Sequence, residues 1–139
     1  MSKDFIILDH PADIGLEIYG KSLADLFANA AKGLVSLITD IDSIECKAEK
    51  SIAIESSDSE NLMVRWLSEI LFLFDGEHFL VGKTQILKVN ATSLNAKVYG
   101  ELVVPNKHNF KKDIKAITYH QLKVWEDARE WKARVFVDI

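Results

Sequence analysis

Cys46 is the only cysteine in the sequence. One thiol cannot close a disulfide within the chain, nor can it build the cysteine cluster of a structural zinc site. It suits a reducing compartment, so the expectation is a cytoplasmic protein. No stretch approaches the roughly 20 apolar residues of a membrane-spanning helix. The apolar run near the start, "FIIL", is too short for the core of a secretory signal. Basic blocks are also missing: Lys and Arg number 17 against 21 Asp and Glu, a formal net charge of −4. Proteins that grip nucleic acid present a basic face to the phosphates, so strong direct nucleic-acid binding is not expected. There is no internal repeat and no low-complexity linker. No Ser-His-Asp or Cys-His arrangement can be argued, because Cys46 has no activating neighbour in sequence.

What remains is a chain of 139 residues, 48% apolar and 27% charged, enough for one domain spanning 1–139 with a real core. Its hydrophobic periodicity changes along the chain. Phe5 to Leu8 reads as a short strand, and Ile14, Leu16 and Ile18 alternate as a second. The period then becomes helical through Leu23, Leu26, Phe27, Ala30, Ala31, Leu34 and Ile38. Ser22 stands where an N-cap belongs, with Asp25 three residues on, as in a capping box. Lys50 to Ser56 alternates again. A second helix is predicted from about Ser59, with Met63, Trp66, Leu67, Ile70, Leu71 and Phe74 on its buried stripe. Four further strands follow, at Phe79 to Val89, Ser93 to Val104, Ile114 to Trp125 and Trp131 to Ile139, the last two flanking "EDARE" as a hairpin loop. Strand signals in adjacent runs favour an α+β fold: a single compact domain with a largely antiparallel or mixed sheet packed by two main helices.

Two stretches suggest a nucleotide-binding enzyme. "GLEIYGKS", Gly15 to Ser22, has the form G-x-x-x-x-G-K-[ST] of a phosphate-binding loop. "RVFVDI" looks like a strand presenting a magnesium-binding aspartate at Asp138. Both fail on context. In a phosphate loop a buried strand ends just before the first glycine, and backbone amides then wrap the phosphates. Here "DHPADI" precedes Gly15, and Leu16, Glu17, Ile18 and Tyr19 alternate like a strand. The simpler reading is strand, a Gly20-Lys21 turn, then the Ser22 cap. A magnesium-presenting strand belongs in a parallel sheet, whereas the neighbouring strands here read as hairpins.

Acidic groups crowd both ends of the sequence. Alternation in the last strand puts Arg134, Phe136 and Asp138 on one face, and the carboxylate of the last residue, Ile139, adds a second negative group beside Asp138. Asp9, His10 and Asp13 crowd a turn near the start. Aspartates in turns often serve only to hydrogen-bond the backbone, and a charged terminus often simply points into water. The functional reading is an oxygen-rich cation site: if Asp13 meets the other end, three carboxylates converge, a set suited to Ca²⁺ or Mg²⁺. Periodicity does not decide whether the two ends meet.

The motifs "LDHPADIGLEIYGKSLADLFANAAKGLVSLITD", "WLSEILFLFD", "IKAITYHQLKV" and the terminal W-x-A-R-V-F-V-D-I resemble the archease family through nearly the whole chain. That family usually reads H-T-A-D in the first motif; this chain has Pro11 in place of the Thr, at a position that is not a metal ligand. The resemblance implies a compact α+β domain that is not itself an enzyme. It implies a protein that assists an RtcB-type RNA ligase in tRNA splicing and RNA repair, promoting guanylylation of the ligase and so multiple turnover. It also implies a divalent metal site, with Asp13, Asp138 and Ile139 as ligands. A weaker implication is modulation of a tRNA methyltransferase.

Two further residues are candidates for partner contact. Lys115, in a strand-like motif, is placed to reach a phosphate or carboxylate, although strand-face lysines are more often merely solvated. His108 lies in the polar loop "PNKHNFKKD" with Lys107, Lys111 and Lys112; it reads as facing a partner or as part of an exposed, flexible loop. His120 reads as a packing or hydrogen-bonding residue. Asp40 and Asp42 sit unfavourably after a helix C-terminus.

Overall fold

The computed structural model describes residues 3–9 and 13–139. His10, in the acid-rich turn, and its neighbour Pro11 lie outside the described residues. The chain opens with an antiparallel pair, β1 (Phe5–Asp9) and β2 (Asp13–Gly20), in the register Phe5↔Ile18 to Asp9↔Ile14. The alternation seen in sequence is the burial pattern: Ile14, Leu16 and Ile18 are each 0% exposed. Helix α1 (Leu23–Ile38) follows, with Ser22 as its N-cap: the Ser22 hydroxyl accepts the Asp25 N–H at 3.1 Å. This satisfies one of the donors that a helix start leaves unpaired. Thr39 closes α1, and Asp40 caps the short 3-10 turn Ile41–Ser43 by accepting the Asp42 N–H at 3.1 Å. The aspartate that looked misplaced after a helix C-terminus is therefore the cap of the next turn.

After β3 (Ala48–Glu55), Asp58 caps α2 (Ser59–Glu77), which ends at His78 in a left-handed conformation, φ 56°. Strands β4 (Phe79–Val89) and β5 (Ser93–Leu102) form a long hairpin, and β6 (Ala116–Ile117), β7 (Lys123–Asp127) and β8 (Glu130–Asp138) complete the set. All the strand pairs are antiparallel. The sequence pattern suggests one sheet; the described residues form two. One runs β1-β2-β8-β6, with β7 also on β8, and the other runs β3-β5-β4. Helix α1 packs against β2 of the first and β4 of the second, which gathers both into one core. Trp66 of α2 locks the helices together: its buried indole N–H donates to the Phe27 carbonyl of α1 at 2.8 Å, satisfying the polar atom that burial of a tryptophan brings inside. No helix among the described residues is long and apolar enough to cross a membrane.

The predicted strand from Ile114 to Trp125 is buckled. Both β6 and β7 pair with β8, but between Ile117↔Val137 and Lys123↔Arg134 the first chain has five residues, 118–122, where β8 has two, 135 and 136. The surplus is thrown out as a turn in which the Leu122 N–H reaches the Tyr119 carbonyl and Gln121 adopts φ 49°. Apolar alternation continues on both sides of such a bulge, so the pattern does not reveal it. The following loop is tighter than "EDARE" suggested. Asp127 faces Glu130, leaving only Ala128 and Arg129, both at positive φ, as in the two-residue hairpin turn whose twist matches that of the strands.

The two glycines of "GLEIYGKS" owe their presence to packing. Gly15 to Gly20 lie inside β2, paired with β8 throughout and with β1 as far as Ile18, so this stretch is strand and not a loop that wraps a phosphate. A β-carbon on Gly20 would come within 2.5 Å of the Leu26 nitrogen, a backbone atom in the first turn of α1. One on Gly15 would come within 2.8 Å of the Phe136 ring. Gly20→Ala should cost about 1–3 kcal/mol, because backbone cannot yield as a side chain can, and Gly15→Ala should cost less, since the ring can tilt. Lys21→Ala, at an exposed bend, should stay within about 0.5 kcal/mol. Urea unfolding of the three variants checks the ranking; equal costs for the two glycines would contradict this account of the motif.

Candidate metal centre

The two acidic ends of the sequence meet in one ladder. Strands β2 and β8 pair over eight residues, from Asp13↔Asp138 to Gly20↔Trp131. Alternation sends Ile14 and Val137, each 0% exposed, into the core, so Asp13 and Asp138 project together from the opposite face. Side chains directly opposite in an antiparallel pair have β-carbons about 4.5–5.5 Å apart, and like charges so placed destabilise the sheet. The same face of the same ladder shows the complementary arrangement four residues along: Glu17 pairs with Arg134, with 3.6 Å between carboxylate and guanidinium. The ladder thus matches charges at one position and opposes two carboxylates at another. Ile139, 38% exposed, continues directly from Asp138.

The strands that carry this pair are packed on both sides. Between Asp138 and Arg134 on that face, Phe136 lies opposite Gly15, whose missing side chain leaves room for the ring beside Leu8. His120, thrown out by the buckle, packs edge-on against Phe136 with ring centroids 5.5 Å apart. On the far side of β8, Ala116 is the register partner of Asp138, and the Lys115 N–H donates to the Asp138 carbonyl at 2.9 Å. Lys115 itself is exposed. Its backbone therefore borders the carboxylate pair, a placement that its motif alone did not specify. Among the described residues no group of three His, Cys, Asp or Glu side chains is gathered as a metal site. A cation held here would be bound by the two carboxylates, main-chain or terminal oxygens, and water. Such a donor set fits a hard divalent ion that keeps open positions.

His108 differs from the expectation of an exposed loop histidine. It is 2% exposed. Its Nδ1 accepts the Val104 N–H at 2.9 Å, which leaves the ring proton on Nε2, 3.0 Å from Glu101 Oε2. A ring so enclosed offers no donor to a partner; it anchors the loop that carries it. Glu101 was missed in the sequence. Its carboxylate, 4% exposed, also accepts the Glu45 N–H at 2.8 Å and the Lys107 ammonium at 2.7 Å. The signal was present in "YGELVVP": Glu101 is buried and Leu102 is 63% exposed, an inversion of what polarity predicts at a strand end. The Lys107 ammonium, then the Glu45 N–H and the His108 ring, draw the Glu101 carboxyl from 4.5 down to about 2 against the opposing effect of burial.

The archease protein family (MTH1598/TM1083) matches residues 5–139. The chain belongs to the archease family. It is 36% identical to the archease of Methanosarcina mazei over 141 residues, spanning 99% of this chain and 97% of that protein. It is 38% identical to the archease of Sulfolobus acidocaldarius over 136 residues, spanning 97% and 98%. The fold matches the solution structure of Methanobacterium thermoautotrophicum protein 1598 with a TM-score of 0.83 at 28% identity, covering 98% of this chain and 99% of that one. It also matches the crystal structure of a Thermotoga maritima archease, a possible chaperone, with a TM-score of 0.67 at 24% identity, over 100% and 98% of the two chains. In this archease fold the residues that the family resemblance names as ligands, Asp13, Asp138 and Ile139, occupy one end of the β2–β8 ladder.

The Glu101 anchor has a pH signature. Its folded-state value lies below the unfolded one, so its stabilisation is complete above about pH 4.5 and is lost as pH falls through about 2. Glu101→Gln should therefore unfold at lower urea concentration than wild type at neutral pH, and the gap should close across that window. A gap that stays constant between these pH values would show that the charge of Glu101 is not what holds the loop.

Proposed function

We propose that this archease-family protein is a metal-binding accessory factor, not itself an enzyme, that assists an RtcB-type RNA ligase in the cytoplasm. In this reading it promotes guanylylation of the ligase's active-site histidine and so permits repeated turnovers. The observation that supports it is the Asp13↔Asp138 pair: two carboxylates held opposite one another on a sheet face, a costly arrangement without a cation. Asp13, Asp138 and the carboxylate of Ile139 would hold a Ca²⁺ or Mg²⁺ ion. Such an ion, when bound, supplies positive charge and open coordination positions for oxygen ligands brought by a partner. The chain's own contribution is placement. Strands β2 and β8 fix both carboxylates through main-chain bonds, the Phe136–Gly15 contact keeps the adjoining face packed, and the exposed Lys115, without an ion pair among the described residues, would meet an anionic group at the same edge. The exposed thiol of Cys46 suits a reducing cytoplasm.

Two opposite effects of one substitution test the site. In EDTA, Asp13→Asn should leave the fold as stable as wild type or raise its stability by about 0.2–1 kcal/mol, because a like-charge pair is removed. With millimolar Ca²⁺ the wild type should gain stability by ligand linkage and the variant should not. Asp138→Ala should lose Ca²⁺ and Mg²⁺ affinity in isothermal titration, and a tag fused after Ile139, which turns that carboxylate into an amide, should do the same while a tag at Met1 does not. Ligase guanylylation should follow metal affinity across the series. Undiminished metal binding in both aspartate variants would remove the site, and normal guanylylation by variants that bind no metal would separate the metal from the activity.

A further inference from the structure

Residues 103–115 carry the chain from β5 to β6. In a protein of net charge −4 this connection holds four lysines, Lys107, Lys111, Lys112 and Lys115, against one acid, Asp113. Lys107 is engaged with Glu45 and Glu101. Lys111, Lys112 and Lys115 are exposed, and none forms an ion pair among the described residues. Apolar side chains stand out along the same segment: Val104 is 41% and Phe110 48% exposed, and Leu102, just before it, 63%.

The segment is pinned at several points. His108 is bound to Glu101, and Ile114 is 3% exposed. The Lys111 N–H donates to the Ile38 carbonyl at 2.8 Å, the Thr39 hydroxyl donates to the Asn109 carbonyl at 2.7 Å, and the Phe110 ring packs on Phe74 with centroids 5.5 Å apart. A surface fixed in advance pays little ordering entropy when a partner arrives. Exposed apolar anchors within a charged rim are the anatomy of a protein–protein contact.

We propose that this strap is the docking surface for a folded protein whose facing surface is acidic, with Phe110 and Val104 as anchors and Lys111 and Lys112 steering the approach. RNA fits less well. Nucleic-acid interfaces are more polar, base stacking needs free aromatic faces, and the Phe110 ring is already packed against Phe74. The strap ends at Lys115, whose N–H is bonded to Asp138, so a partner seated on it borders the carboxylate pair. In taking that partner to be the RNA ligase, the inference rests on the function proposed above.

The test measures binding of the full-length protein to a purified RtcB-type RNA ligase by biolayer interferometry, in about 0.1 M salt, where charge steering still acts over about 10 Å. The double variant Lys111→Glu/Lys112→Glu changes only exposed side chains. It should weaken binding about tenfold or more, chiefly through slower association, with the gap narrowing as salt rises. Phe110→Asp, its fold checked by circular dichroism, should weaken binding chiefly through faster dissociation. Lys88→Glu, on β4, should bind like wild type, and Ca²⁺ affinity should be unchanged in all three. Wild-type binding that survives both strap variants overturns this surface and leaves the proposed function standing. Absence of wild-type binding overturns both. Loss of a single-stranded RNA oligonucleotide, with ligase binding kept, would assign the strap to RNA and overturn the proposal.

Discussion

Every feature of the carboxylate pair depends on the register of the β2–β8 ladder. In a strand the side-chain period is two, so a slip of one residue would turn Asp138 toward the core and Val137 toward water. The register is enforced on the inner face by Ile14, Leu16 and Ile18 of β2 and by Ala133, Val135 and Val137 of β8, all 0% exposed. Steric constraint enforces it on the outer face, where Phe136 has room only opposite a residue without a side chain. The hydrophobic drive to bury six side chains therefore also holds two negative charges against each other. That is how a fold can store an unfavourable contact at a site: the surrounding core outweighs it.

The same physics decides how much was legible in the sequence. Helices α1 and α2 were readable because their stripes are long, and α1 also because Ser22 caps it as its side chain predicts; the α2 cap, Asp58, was found only in the structure. The alternation of β2 and β8 was readable for the same reason, and with it the face on which Asp13 and Asp138 lie. Their meeting was not, since pairing between distant strands is a tertiary choice that leaves no local mark. The division into two sheets escaped for that reason as well. The buckle at 118–122 was hidden because apolar alternation resumes after it, and its turn is made by Gln121 rather than by a glycine. His108 was misjudged because its loop is rich in lysine and asparagine and opens on a proline. The loop is polar, but the charge buried beneath it, Glu101, draws one of its side chains inward.

The phosphate-loop pattern shows how one string of residues can answer to two sets of constraints. A glycine is needed wherever backbone must approach something closely, whether a phosphate or a neighbouring helix. At Gly20 that something is the start of α1, and the lysine and serine that complete the pattern are a bend residue and a helix cap. Spacing alone does not tell these apart; the alternation of Leu16, Glu17, Ile18 and Tyr19 between the glycines does.

Strand β8 pairs with β2, β6 and β7, and it follows all of them in the chain. A ribosome therefore delivers the partners before the strand that joins them. Until β8 emerges, the edge of β2 that it will pair is open, and contacts between segments so far apart in sequence form slowly. The two aspartates are made far apart in synthesis, on β2 and on β8, so the pair exists only once β8 has closed the sheet. A nascent or truncated chain without that strand would contain Asp13 alone, and with it no second carboxylate to share a cation.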